Sequence, residues 1–145
     1  MAFTTGTRFA TSVRAGVVVV ALAAVGGCGQ DRIVRVEGQV VWDDGRPAGD
    51  LAGDYLVESF VAGSVSSSRG LVGPDGRFDL GTFARGDGVE PGPHKVSLTV
   101  RGRGDFEPPP KVKLPARYAN ADTSGLSFTA ERGKVNVVHL TVSRK

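Results

Sequence analysis

Apolar and polar residues alternate with a period of two in several short segments of this chain, and glycine, proline or aspartate separates one segment from the next. The clearest segment follows Pro91-Gly92-Pro93 and runs to Arg101. Its apolar phase is formed by His94, Val96, Leu98 and Val100. A period of two places successive side chains on opposite faces of a strand. Seven such segments lie between residues 34 and 142, with no helical periodicity after residue 28. The sequence therefore predicts an all-β fold, a seven-stranded antiparallel β-sandwich.

Short turn motifs indicate how the strands are connected. Asp43-Asp44-Gly45-Arg46-Pro47 ends the first strand, because Asp-Gly tolerates a positive φ and proline cannot donate a ladder hydrogen bond. Pro74-Asp75-Gly76 predicts a second turn that links two strands. Arg132-Gly133 is expected to close a hairpin between the last two strands. Residues 102–115 are rich in glycine, proline and charge, and are expected to form a surface loop without regular structure.

The first 27 residues differ in composition from the rest of the chain. They contain no acidic residue, two arginines (Arg8 and Arg14) and then the apolar run from Ala15 to Val25. This is the layout of a signal peptide. The run has 11 residues, whereas a helix needs about 20 to span a bilayer core. A cleaved export signal is therefore favoured over a permanent transmembrane helix.

Val25-Gly26-Gly27-Cys28 follows that run and resembles the lipobox of bacterial lipoproteins. The resemblance implies cleavage between Gly27 and Cys28 and acylation of Cys28, whose partner is then membrane lipid. Cys28 is the one cysteine of the chain, so it cannot form an intramolecular disulfide. We expect residues 1–27 to be the signal peptide, 28–32 a lipidated tether and 33–145 the β-sandwich domain. The protein is then exported and anchored to the cell membrane or the outer membrane, with its domain in the periplasm or outside the cell.

Four segments of the strand region resemble the carboxypeptidase-regulatory-like, or transthyretin-like, β-sandwich domain of small bacterial lipoproteins. They are Val36-x-Gly38-x-Val40 with Gly45-Arg46-Pro47, then Asp75-Gly76-Arg77-Phe78-x-Leu80, then Pro91-Gly92-x-His94-x-Val96, and finally Leu114-Pro115-x-x-Tyr118 with Thr123-Ser124-Gly125-Leu126. The resemblance implies a prealbumin-like (Ig-like) sandwich without a catalytic site of its own, often an accessory module. It implies no substrate.

The residues that carry chemistry favour a protein that is not an enzyme and has no cofactor. The two histidines, His94 and His139, lie inside predicted strands, where a structural imidazole is expected. The aspartates of the turns lack the spacing of a calcium loop, so no metal site is expected. Without Arg8 and Arg14, 16 basic residues face 15 acidic ones, which argues against a nucleic-acid partner.

Two functional classes remain open on the sequence. The first is a membrane-anchored, non-enzymatic interaction or accessory module of the cell envelope, whose partner is an envelope protein. The alternative is a module that binds a glycan or another envelope ligand. Phe106 and Tyr118 lie in predicted loops and are the aromatic residues expected to contact such a ligand, whereas Trp42 fits a core position.

Overall fold

The computed structural model describes residues 32–102 and 104–145, and its regular structure consists almost entirely of strands. Two 3-10 helices, Gly49–Leu51 and Ala116–Ala119, connect strands, and the described residues contain no α-helix. The strands are β1 (Val36–Trp42), β2 (Tyr55–Val61), β3 (Ser67–Leu71), β4 (Arg77–Asp79), β5 (Gly92–Val100), β6 (Leu126–Ala130) and β7 (Asn136–Val142). The prediction of an all-β chain with seven strands is confirmed.

The strands form two sheets, one of three strands in the order β4-β1-β7 and one of four in the order β3-β2-β5-β6. Four of the five strand pairs are antiparallel. The pair β1 and β7 is parallel, with Val36 opposite Asn136 and Trp42 opposite Val142. The prediction of a wholly antiparallel sandwich is therefore wrong for this pair. A parallel pair needs a long crossover connection, and here strands β2 to β6 lie between β1 and β7 in the sequence.

The predicted hairpin at Arg132-Gly133 is also wrong, because β6 and β7 belong to different sheets. The turn itself forms, with Gly133 at φ +78°. Asn136 holds it closed: its side-chain carbonyl accepts from the Glu131 N–H (2.8 Å), and its amide donates to the Glu131 carbonyl (3.0 Å). Val138, Leu140 and Val142 on β7 then bury their side chains against the shared core. Burial of that face places β7 beside β1 instead of β6.

The turn at Pro74-Asp75-Gly76 likewise forms as predicted but joins strands of different sheets. The Gly76 N–H donates to the Gly73 carbonyl (2.9 Å), and β3 and β4 then run along neighbouring edges of the two sheets. One bridge connects these edges, where Arg69 and Gly81 exchange two backbone hydrogen bonds of 2.9 and 3.0 Å.

One hydrophobic core lies between the sheets and takes side chains from both of them. The three-stranded sheet contributes residues such as Val40 and Leu140, and the four-stranded sheet contributes Val57 and Leu98. Tyr55 fixes the long loop, residues 102–115, over this core. Its hydroxyl donates to the Val112 carbonyl (2.9 Å) and accepts from the Leu114 N–H (3.0 Å). That loop has no regular structure in its described residues, as predicted.

The predictions for the first 27 residues, for cleavage after Gly27 and for acylation of Cys28 lie outside the described residues. Among the residues that the structure describes, no helix is long and apolar enough to cross a membrane.

Candidate functional site

A groove runs along the side of the domain where β3 and β4 lie next to each other. Its volume is about 680 Å³. Strand β3 contributes Arg69 and Leu71, β4 contributes Arg77 and Asp79, and the loop that follows β4 contributes Phe83. The alternation of side chains within each strand brings these polar and apolar groups to the outer surface. The groove thus combines apolar surface with charges of both signs.

The loop from Thr82 to Gly88 forms one wall of this groove and is held in a fixed shape by its own side chains. The Asp87 carboxylate accepts three backbone hydrogen bonds, from Thr82 (2.7 Å), Phe83 (3.1 Å) and Ala84 (2.8 Å). The Thr82 hydroxyl donates to the Gly88 carbonyl (2.8 Å). Because the Thr82 hydroxyl proton is used in that hydrogen bond, the Ser68 hydroxyl donates to the Thr82 oxygen at 2.7 Å. These bonds restrict the conformations that the loop can adopt.

Two side chains of this loop are available for contacts. The Phe83 side chain is 73% exposed. Arg85 has no hydrogen bond or ion pair with any described residue, whereas Arg69 pairs with Glu58 (2.8 Å) and Arg77 pairs with Asp75 (3.1 Å). Aromatic and arginine side chains dominate the binding energy of many interfaces. Phe83 and Arg85 are therefore the strongest contact residues that the groove offers.

The sequence predicted two other aromatic contact residues, Phe106 and Tyr118, and only Phe106 is exposed. Phe106 is fully exposed in the long loop, outside the residues that line the groove. Tyr118 is only 4% exposed, so its prediction as a surface aromatic is wrong. The 3-10 helix Ala116–Ala119 turns its ring into the core, and its hydroxyl accepts from the Ser143 N–H at 2.9 Å. Phe106 and Tyr118 therefore do not form one contact surface.

Sequence reasoning missed Phe83, although the surrounding residues contain a signal. An exposed aromatic stands in Thr82-Phe83-Ala84-Arg85-Gly86-Asp87-Gly88, between two strands, where turn residues predominate. The tripeptide Arg85-Gly86-Asp87 resembles an adhesion motif, but its carboxylate is fully used in holding the loop.

Trp42 occupies the core position that was predicted for it. It is buried, and its indole N–H donates to Asp50 Oδ1 (3.0 Å). The Arg144 guanidinium lies 4.0 Å from the centroid of the indole ring and pairs with the other oxygen of Asp50 (2.7 Å). The tryptophan is therefore a structural residue that the last residues of the chain cover.

His94 is buried near the start of β5 and has structural contacts. Its Nε2 donates to the Glu90 carbonyl (2.7 Å), which fixes the tautomer, and its ring stacks on Phe128 with centroids 4.7 Å apart. Its Nδ1 is buried and has no hydrogen-bond partner among the described residues. Burial lowers the pKa of His94, although the hydrogen bond to Glu90 opposes that shift. The expectation of a structural imidazole is confirmed for His94, whereas His139 lies on the exposed face of β7.

His94 is expected to make the domain less stable in weak acid. The unfolded chain binds a proton near pH 6.5, while the lowered folded-state pKa keeps the buried ring neutral. The free energy of unfolding should therefore be at its full value above about pH 6.5 and fall as the pH drops from there towards the folded-state pKa. Urea unfolding of the wild type and of His94→Phe over this range measures the effect.

His139→Gln is the matched control, because that ring is exposed. We expect the pH slope to disappear in His94→Phe and to persist in His139→Gln. An equal slope in all three proteins would contradict the assignment of the effect to His94.

The acidic side chains in two of the turns accept hydrogen bonds from residues of the same turn. Asp44 accepts from the backbone and side chain of Arg46, and these hydrogen bonds hold the pKa of Asp44 below its usual value. Asp75 accepts a hydrogen bond from the Arg77 backbone N–H (3.1 Å) and pairs with the Arg77 guanidinium (3.1 Å). Within residues 32–102 and 104–145, no three histidine, cysteine or acidic side chains are grouped closely enough to hold a metal ion.

No protein-family model, curated protein or solved structure matches this chain. Functional inference therefore depends on its own residues and geometry.

Proposed function

We propose that this protein is a membrane-anchored lipoprotein whose β domain is a non-enzymatic binding module of the cell envelope. The motif Val25-Gly26-Gly27-Cys28, after an apolar segment without acidic residues, supports export and acylation of Cys28. The seven strands in two sheets that share one core support a prealbumin-like β-sandwich of the carboxypeptidase-regulatory-like type. A fold of this kind carries many functions, so the role has to be argued from the site.

The observation that carries the binding role is the preorganised loop beside the groove. Asp87 fixes the backbone of residues 82–84. This loop presents the exposed ring of Phe83 and the Arg85 guanidinium, which has no hydrogen bond or ion pair with any described residue. Phe83 is exposed, like Phe106, but it alone of the two stands beside the groove. The groove presents Phe83 together with Arg85, and aromatic residues and arginine are enriched at protein interfaces. We therefore assign an envelope protein as the partner.

Photo-crosslinking in intact cells tests this assignment. A photoreactive phenylalanine analogue is placed at position 83 and, as the matched control, at position 106. Both positions hold an exposed phenylalanine in a loop, but only position 83 lines the groove. We expect a reproducible adduct with one protein from position 83 and none from position 106. The absence of any adduct at position 83 under several growth conditions would contradict the proposal.

Phe83→Ala is expected to weaken capture of that partner by about 30-fold, which corresponds to about 2 kcal/mol for an aromatic residue at the centre of an interface. Phe106→Ala should leave capture unchanged. The measurement is the apparent affinity of the purified lipoprotein for the crosslinked partner. Equal affinities of the two variants would show that the groove is not the contact surface.

Glycan binding is the second function that a specific observation favours. An exposed aromatic ring can pack against the face of a sugar, and an arginine in the same loop can bind a carboxylate on it. We propose Phe83 and Arg85 as the glycan contact in this case, and not Phe106 and Tyr118. Retention of the protein on envelope polysaccharides, and its loss in Phe83→Ala, would support this function over a protein partner.

A further inference from the structure

We propose that one end of the β domain lies directly on the bilayer surface, with Val65 and Val135 in contact with lipid. This inference rests on the proposed acylation of Cys28. The end in question is the one at which β1 begins. It is defined by the start of β1, the turn between β2 and β3, and the turn between β6 and β7. Strand β4 also ends here, because Asp79 is opposite Glu37, so the loop that carries Phe83 lies at the edge of this end.

The strand register places these three features at the same end. Val34 exchanges two backbone hydrogen bonds with Val89, just before β5 begins. The first residues of β5 pair with the last residues of β2 and β6, because Val61 is opposite His94 and Ala130 is opposite Gly92. The turns that follow β2 and β6 therefore lie at the end of the domain where the chain enters β1.

The length of the tether keeps this end close to the membrane. Val34, the first residue that hydrogen bonds fix to the domain, follows Cys28 by six positions, with five residues between them. An extended chain spans about 3.5 Å per residue, so this connection reaches about 20 Å at most. Strand β5 alone has nine residues and is about 30 Å long. The tether is thus too short for the domain to stand upright on its opposite end while Cys28 is inserted.

Exposed apolar side chains stand at both sides of this end. Val65 is fully exposed in the turn after β2, and Val135 is 51% exposed in the turn before β7. In the order β3-β2-β5-β6, these turns lie on opposite sides of the sheet, about two and a half strand spacings or roughly 12 Å apart. Strand β1 is central in the other sheet, so the tether enters between them.

The turn that carries Val135 also has the side chains that suit a headgroup region. Arg132 and Lys134 precede the valine, and Lys134 pairs with Glu131 at 2.8 Å. Long basic side chains keep their apolar stems on a hydrophobic surface while their charge stays in water. The short tether and the apolar and basic side chains at this end of the domain therefore both favour contact with lipid.

Fluorescence quenching in vesicles tests the orientation on the full lipidated protein. Val65→Cys, Val135→Cys and Phe106→Cys each supply one free thiol, because Cys28 is acylated, and each receives an environment-sensitive fluorophore. Phe106 is the control, since it is fully exposed in the loop that follows β5, at the other end of the domain. The vesicles contain phosphatidylethanolamine and phosphatidylglycerol, with a quencher attached near the lipid headgroup.

We expect a blue shift of the emission and loss of its intensity at positions 65 and 135, and neither change at position 106. Vesicle-bound protein with unquenched fluorophores at 65 and 135 would overturn the orientation but leave the anchor in place. Protein that fails to remain with the vesicles would overturn the anchor, and with it this inference.

Discussion

Replacing Cys28 with alanine is expected to abolish fatty acylation of this protein and its stable attachment to the membrane. The alanine has no sulfur to which a lipid can be joined. Burial contributes about 0.8 kcal/mol per CH₂ group, so one chain holds a protein only marginally and two hold it stably. Metabolic labelling with a fatty acid, followed by detergent phase separation, measures both effects. We expect no label in Cys28→Ala and loss of the acylated form from the detergent phase.

Gly29→Ala is the matched control for this experiment. It changes the neighbouring residue but leaves the acylated atom, so labelling and partition should match those of the wild type. Label that persists in the Cys28→Ala protein would contradict acylation at this residue.

Gly76→Ala is expected to destabilise the domain by about 3 kcal/mol. The residue has φ +75°, a backbone conformation that disfavours a side chain, and an added Cβ would lie 2.6 Å from the Val40 carbonyl oxygen and 2.9 Å from the Ala48 nitrogen. Both neighbours are backbone atoms of well-packed segments, so neither can move without breaking hydrogen bonds. The Val40 N–H itself donates to the Gly76 carbonyl at 2.8 Å. Urea unfolding of the chain from residue 29 onward measures the change.

Gly45→Ala separates the two causes of that destabilisation. Gly45 has a similar φ of +83°, but an added Cβ meets nothing within 4 Å. It should therefore lose only the conformational part, about 1 kcal/mol. Equal losses at the two positions would contradict a steric role for the contacts around Gly76.

The strands were predictable because their signal is local. The alternation in Gly92–Val100 and Asn136–Val142 requires one face of each strand to be buried, and the structure buries the predicted apolar positions Val96, Leu98, Val138 and Leu140. Glycines at positive φ mark the turns, as the Asp-Gly pairs at 45 and 76 indicate. Each of these inferences needs only the residues of one segment and its neighbours.

Strand partners and the groove were not predictable, because they depend on residues far apart in the chain. Arg132-Gly133 is compatible both with a hairpin and with a connection between two sheets. The pairing of β7 with β1 determines that it forms a connection between sheets. Tyr118 follows proline and charged residues, so its sequence neighbours suggest exposure, but its hydroxyl accepts a hydrogen bond from Ser143, which lies 25 residues away. Phe83 lines a groove only because β3 and β4 lie next to each other.

Attachment through Cys28 is the premise of both the binding role and the orientation on the bilayer. Intact-protein mass spectrometry of the wild type, extracted from membranes, tests it most directly. We expect one species whose mass equals the chain from Cys28 to Lys145 plus covalently bound acyl groups, with fragmentation placing them on the first residue. A protein that still begins at Met1, or that carries an unmodified Cys28, would contradict the proposed function.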